Sequence, residues 1–286
     1  PDFGRLGKIL SAGELVKPGG RLPTEYVEGL YEEFRQEALR KALAKSGAEA
    51  NSYRHPAALL LGLMHWERLA GGGVIRPLAE RNLIFWLILA GIIALAISGA
   101  RIFGVGAGLH PPIAAFGTGF LGMGLSIFGL YGFQLAAGDL YAAIGLLSSL
   151  FILGSVAGSR LSAAGRIDSA RWKIILLALF PLTYGLAAVP PLSPPVWLAI
   201  LLYGSYHCYA GFAVGALYPL LLKSAGERGI EPERAPGIIY GADLLGAALA
   251  APIFGVIFLP ALGISDTLAL VAAGILICLI ASPKKR

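Results

Sequence analysis

From Asn82 onward the chain reads as seven apolar stretches, roughly 83–100, 112–134, 140–158, 173–190, 195–222, 237–259 and 264–281. Each is close to the ~20 residues a helix needs to cross the hydrocarbon core of a bilayer. This pattern predicts an all-α, polytopic transmembrane helix bundle of about seven spans, preceded by a small, mostly helical soluble segment. Composition agrees: 56% of residues are hydrophobic, and the 14% that are charged fall well below the ~25% usual in soluble domains. The 39 glycines would weaken soluble helices, whereas membrane helices tolerate them and pack through them.

The net charge of +6 has a positional meaning. One side of the predicted bundle carries Arg101, then Arg160, Arg166, Arg171 and Lys173, then Lys223, Arg228 and Arg234, and last Lys284, Lys285 and Arg286. The other side carries Arg76 and Arg81, and its loops near 135–139, 190–195 and 260–266 hold no Lys or Arg. By the positive-inside rule the first face, with the C-terminus, is expected in the cytoplasm of a cell whose inner membrane holds the chain. Seven spans then place residues 1–81 outside, and one re-entrant stretch would reverse that. No basic stripe interleaved with aromatics is present, so nucleic acid is not an expected partner; the lipid bilayer is.

Residues 1–81 differ in kind from 82–286. They are polar, and the apolar residues Tyr26, Leu30, Phe34, Leu39 and Leu43 recur near the helical period, predicting a helix over 24–45. A second helix is expected over 56–69, ended by Gly71, Gly72 and Gly73. So short a segment buries little core and must lean on something else. The chain starts at Pro1 without a methionine, which suggests processing or a piece of a longer protein. Cys208 and Cys278 lie inside apolar stretches with no CxxC spacing, so neither metal nor disulfide framework is expected.

Ionisable groups at membrane depth are costly and are the first place to seek function. Asp243, about two turns into the sixth stretch beside Tyr240, reads as a carboxylate that binds a cation or pairs with a basic group, or as an interfacial acid favoured by the helix dipole. Asp139 opens the third stretch and reads as an N-cap. Tyr203, Tyr206 and His207 share one helical face of the fifth stretch, a polar seam suited to hydrogen bonding a neighbouring helix. Small residues at four-residue spacing, Gly154 with Gly158, Gly211 with Gly215 and Gly237 with Gly241, permit close helix approach. Pro181, Pro219 and Pro252 should kink or break their helices. The GxGxG of Gly104, Gly106 and Gly108 follows no strand and reads as a flexible turn.

Several of these pieces together resemble one family, the membrane-embedded spermidine synthase-like proteins, in which an aminopropyltransferase-type domain is fused to transmembrane helices. Tyr240-Gly-Ala-Asp-Leu-Leu-Gly-Ala-Ala-Leu249, running on to Leu259-Pro-Ala-Leu-Gly263, is similar to the family's YAADLLGAALGA…LPLLG stretch. Phe133-Gln134, Leu140-Tyr141 and Gly154-Ser-Val-Ala-Gly-Ser159 resemble a second family helix, and Tyr218-Pro219-Leu220 resembles its FPL. Asn51–Pro56 and Leu63–Trp66 resemble the exit from the synthase-like domain. The likeness covers roughly 22–70 and 112–263, and through it Gln134 joins the polar residues of interest. The family's glycine-rich AdoMet loop and catalytic aspartate have no counterpart here, and Ser126 stands where such helices often carry glutamate.

The resemblance implies a membrane part without its own AdoMet-binding core. No catalytic residue, cofactor ligand or metal ligand is assigned to this chain. It would serve as anchor or docking unit for an upstream or separate synthase-like domain. The alternatives are a structural subunit of a larger membrane complex, or a transporter-like half that binds a cation at Asp243 beside the Tyr203–His207 seam.

Overall fold

Apolar residues that cannot be hydrated must satisfy their own backbone groups locally, and every regular element described is accordingly helical, with no strand among the described residues. The computed structural model describes Glu37, Lys41 and residues 57–102, 110–138, 143–192 and 194–281. The chain divides into two units, Pro1–Ala50 and Asn51–Arg286. In the first, Glu37 and Lys41 are helical and form an i,i+4 ion pair at 3.6 Å. The rest of the helix expected over 24–45 lies outside the described residues, as does the GxGxG turn.

The second unit opens with α1 (Ala57–Leu69) and α2 (Ile75–Ala79). Gly71, at φ 75°, turns the chain out of α1. Glu67 then accepts hydrogen bonds from the backbone N–H groups of Val74 and Ile75, so one side chain caps the start of the next helix. Both short helices pack against the segment Ile253–Leu262, which supplies the core they lack.

Seven longer helical pieces follow: α3 (Leu83–Ile102), α4 (His110–Ala137), α5 (Ile144–Ala163), α6 (Ser169–Ala187), α7 (Val196–Glu227), α8 (Ala235–Pro252) with its π-helical continuation Ile253–Leu262, and α9 (Gly263–Ala281). Asn82 caps α3 by accepting from Phe85 N–H at 3.1 Å, and Asp168 caps α6 by accepting from Arg171 N–H at 2.9 Å. The helices run on through Pro181 and Pro219, whereas α8 changes character at Pro252. Gly263, at φ 74°, reverses the chain after the π-helical segment.

Five stretches are long and apolar enough to cross a membrane: His110–Ala137, Ile144–Ala163, Ser169–Ala187, Val196–Glu227 and Ala235–Ala281. Leu83–Ser98 is a shorter apolar helix. The sixth and seventh stretches of the sequence adjoin in one 47-residue apolar segment, because no polar loop separates them and the reversal takes place at Gly263 alone, where the backbone leaves helical geometry at φ 74° and ψ −176°. Its two legs nevertheless run in opposite directions along α4. Gly119 meets Asp243 and Gly124 meets Phe254 on the outward leg, while Leu121 meets Gly274 and Gly117 meets Cys278 on the return.

Packing partners order the remaining helices. Gly132 faces Tyr203, Gly129 faces His207 and Gly122 faces Val214, so α4 and α7 are antiparallel. Trp172 Nε1 donates to the Ala213 carbonyl and Tyr203 Oη to that of Leu186, so α6 and α7 are antiparallel as well. The α5–α7 pair runs parallel and in backbone contact. A Cβ at Gly154 would lie 1.9 Å from the Cys208 carbonyl oxygen, and one at Gly211 would lie 1.9 Å from that of Phe151. One end of the bundle therefore gathers the α5–α6 and α7–α8 turns with Arg160, Arg166, Arg171, Lys173, Lys223, Arg228 and Arg234. The opposite end holds the Gly263 reversal, the α6–α7 connection and the start of α3, where Trp86 meets Phe258 edge-on.

Candidate binding cleft at Asp243

Helix α8 can lie directly on α4 because neither backbone carries a side chain where they cross. A Cβ at Gly246 would lie 2.0 Å from the Phe116 carbonyl oxygen, and one at Gly119 would lie 2.0 Å from that of Asp243. This contact brings the Asp243 side chain to α4, with its Oδ1 2.9 Å from the Gly119 Cβ position. Asp243 is eight residues beyond the first residue of α8, about 12 Å along its axis. It is half-buried, as an acid at that depth in an apolar bundle must be if it faces the interior.

The carboxylate lines a cleft of about 370 Å³ between α4, α5, α7 and α8. Thr118, Ser155, Ser159, Arg160, Tyr218 and Tyr240 supply its polar lining, and the remainder is aliphatic or glycine backbone. Two of the hydroxyls are already engaged. Thr118 Oγ1 donates to the Ala114 carbonyl at 2.7 Å, and Tyr218 Oη reaches the Pro236 carbonyl at 3.5 Å. Asp243 makes no hydrogen bond or ion pair with any described residue, and Arg160 lines the same cleft without bridging to it. A carboxylate held in a low-polarity environment without a partner is costly, and a cationic or hydrogen-bond-donating ligand relieves that cost. Among the described residues no group of three or more His, Cys, Asp or Glu side chains is placed to hold a metal ion.

The polar seam of α7 lies elsewhere and is occupied with neighbouring helices. His207 is fully buried, with Nδ1 2.7 Å from the Tyr203 carbonyl and Nε2 3.3 Å from the Ser126 carbonyl on α4. Thr183 Oγ1 donates to the Leu179 carbonyl at 2.7 Å, which leaves Tyr206 Oη to donate to Thr183 at 3.1 Å. Tyr203 Oη donates to the Leu186 carbonyl at 3.3 Å, Tyr209 Oη to that of Ile175 at 3.0 Å, and Trp172 Nε1 to that of Ala213 at 2.8 Å. These bonds fasten α6 to α7 along three turns, and the His207 imidazole sits between a carbonyl of α7 and one of α4, with a single N–H to give in its neutral form.

Of the polar residues singled out in the sequence, only Asp243 and Tyr240 meet in the cleft. Tyr203, Tyr206 and His207 form the seam, and Gln134 is exposed near the far end of α4. Asp139 lies outside the described residues. Ser155, Ser159 and Thr118 carried no functional reading in the sequence, and Arg160 was read only as a topological charge. The available signal was the Ser155–Ser159 pair at helical spacing, running into Arg160 on the same helix.

No protein-family model matches this chain, and neither the characterised proteins nor the solved structures contain a match to it.

Proposed function

We propose that this chain is a multi-pass membrane protein, crossing seven times with its basic end in the cytoplasm, that binds the ammonium group of a small ligand at Asp243. The observation that carries the reading is the carboxylate without a partner, about 12 Å along α8 in a cleft large enough for a small molecule. The gathering of Lys and Arg at one end of an alternating bundle supports the orientation. Asp243 also stands in the motif through which the sequence resembles spermidine synthase-like membrane regions. A membrane part of such a protein would meet amine-bearing molecules. The test is binding of ethylamine to the purified full chain in an uncharged detergent, followed as thermal stabilisation. Asp243→Asn abolishes the stabilisation while the unliganded protein keeps its helical signal; equal stabilisation of both proteins would end the reading.

A docking role has its own supporting observation. On α1, outside the apolar spans, Trp66 is 71% and Leu69 65% exposed, and Leu61 on the same helix is exposed too. An apolar face of this kind is suited to a protein surface or the bilayer interface. If a synthase-like domain docks there, Trp66→Lys with Leu69→Lys releases a protein that co-purifies with the wild-type chain. Co-purification unaffected by both charges would rule that docking face out.

A further inference from the structure

The cleft holds two charges of opposite sign that do not neutralise each other. Exposed Arg160 lines it from the last turn of α5, and half-buried Asp243 lines it from the middle of α8. Beside Arg160 on α5 stands Ser159, and beside Asp243 on α8 stands Tyr240, so each pole has a neighbouring hydroxyl. A bare cation at Asp243 leaves a second positive charge, exposed Arg160, on the wall of the same small space. A bare anion at Arg160 meets the same difficulty at Asp243. Resting on the reading of Asp243 as an ammonium-binding carboxylate, we infer that the cleft's ligand is a zwitterion. Its ammonium group lies at Asp243 and Tyr240, and its phosphate or carboxylate lies at Arg160 and Ser159. Each pole then acquires a charge-assisted hydrogen bond, the anionic one in the forked geometry that guanidinium groups favour.

The size fits. The volume of about 370 Å³ lies toward the small end of the ~300–1,000 Å³ usual for ligand sites, enough for a head group or an amino acid and too small for a nucleotide cofactor with its surroundings. The aliphatic part of the lining includes Val156, which is exposed on α5. An acyl chain leaving the cleft would meet that surface. The shared chemistry is thus an aminoalkyl phosphate or amino acid, presented either free or as the head group of a phospholipid.

The experiment uses the full chain in maltoside micelles with three probes: ethylamine, phosphoethanolamine, and phosphatidylethanolamine doped into the micelle and counted by native mass spectrometry. Wild-type protein is expected to bind one of the two zwitterionic probes at least about tenfold more tightly than ethylamine. Arg160→Gln removes that margin and tightens ethylamine binding, because a repelling charge is gone; Arg160→Lys restores part of the margin. Retention of phosphatidylethanolamine alone assigns the source to the leaflet, and binding of phosphoethanolamine assigns it to water. If the margin is absent, or survives Arg160→Gln, while ethylamine binding still depends on Asp243, the zwitterion inference is overturned and the ammonium reading stands. If ethylamine binding is indifferent to Asp243→Asn, both fall.

Discussion

Three pairs of glycines at four-residue spacing occur in apolar helices of this chain, and the structure gives them opposite consequences. At Gly211 an added methyl would lie 1.9 Å from the Phe151 carbonyl oxygen and 2.8 Å from its carbon. A carbon–oxygen contact needs about 3.3 Å, so Gly211→Ala falls about 1.4 Å short of room. The obstructing atoms are backbone and cannot rotate away. Gly154 presents the reciprocal problem at the Cys208 carbonyl, and Gly158 and Gly215 repeat it one turn on at Phe212 and Ser155. Relief must come from moving α5 off α7 as a body, which opens all four contacts together. We expect Gly211→Ala to cost at the upper end of the ~1–3 kcal/mol typical of overpacking, and Gly211→Leu to prevent folding. At Gly237 and Gly241 nothing lies within 4 Å of the Cβ position. Alanine there should be neutral or stabilising by up to about 1 kcal/mol, through helix propensity alone. The assay is SDS-driven unfolding from mixed micelles, followed by tryptophan fluorescence. Trp172 is buried where α6 meets α7 and reports loss of that packing. Identical midpoints for Gly211→Ala and Gly241→Ala would refute the argument, because the two substitutions are chemically the same and differ only in what stands opposite.

The remaining predictions address other contacts. Gly119→Ala pushes on the Asp243 carbonyl, 2.0 Å from the Cβ position, so ethylamine binding measured by thermal stabilisation should be lost along with part of the stability; unchanged binding would detach the cleft from the α4–α8 crossing. Trp172→Phe keeps most of the buried ring but removes the 2.8 Å bond to the Ala213 carbonyl, and an SDS titration should register a loss of about 1 kcal/mol. With Cys208 and Cys278 replaced, cysteine at exposed Glu233 should react with an impermeant maleimide only from the cytoplasmic side, and cysteine at exposed Ser265 only from the opposite side. Labelling of both from one side would overturn the seven-crossing arrangement.

What was legible in the sequence follows from what a bilayer demands of single segments. Length, hydropathy and loop charge are properties of one helix at a time, so the all-helical class and the seven stretches that become α3 to α9 could be read directly. Two caps went unread: Asn82 and Asp168 stand one residue before α3 and α6, with the short acceptor side chains that the first turn requires, whereas Asp139, the acid read as a cap, lies outside the described residues. How tightly the last two stretches join was not legible. Pro252 and Pro260 suggest interruption, yet a ten-residue π-helical segment carries the helical path between and through them as far as Gly263.

The limits at the site have one physical origin, which is that side chains are written in the sequence and their partners often are not. Asp243 stood out because an ionisable group contrasts with an apolar background. Ser155 and Ser159 did not, since hydroxyls in such helices ordinarily bond their own backbone one turn back, as Thr118, Ser149, Thr183 and Thr267 do here. The seam of Tyr203, Tyr206 and His207 was legible as a face, but its partners are chiefly the carbonyls of Leu186 and Ser126 and of Tyr203 itself, groups every residue possesses. The glycines show the same limit. Gly154 and Gly241 have the same spacing to their companions, and only the fold decides that one meets a backbone and the other open space. Arg160 is the instructive case. Its place at the basic end accounts for its charge without reference to any ligand, and that sufficient reading concealed its second position, on the wall of the Asp243 cleft. A residue in the last turn of a membrane helix can set orientation and line a site at once, so a topological explanation for a charge does not exhaust it.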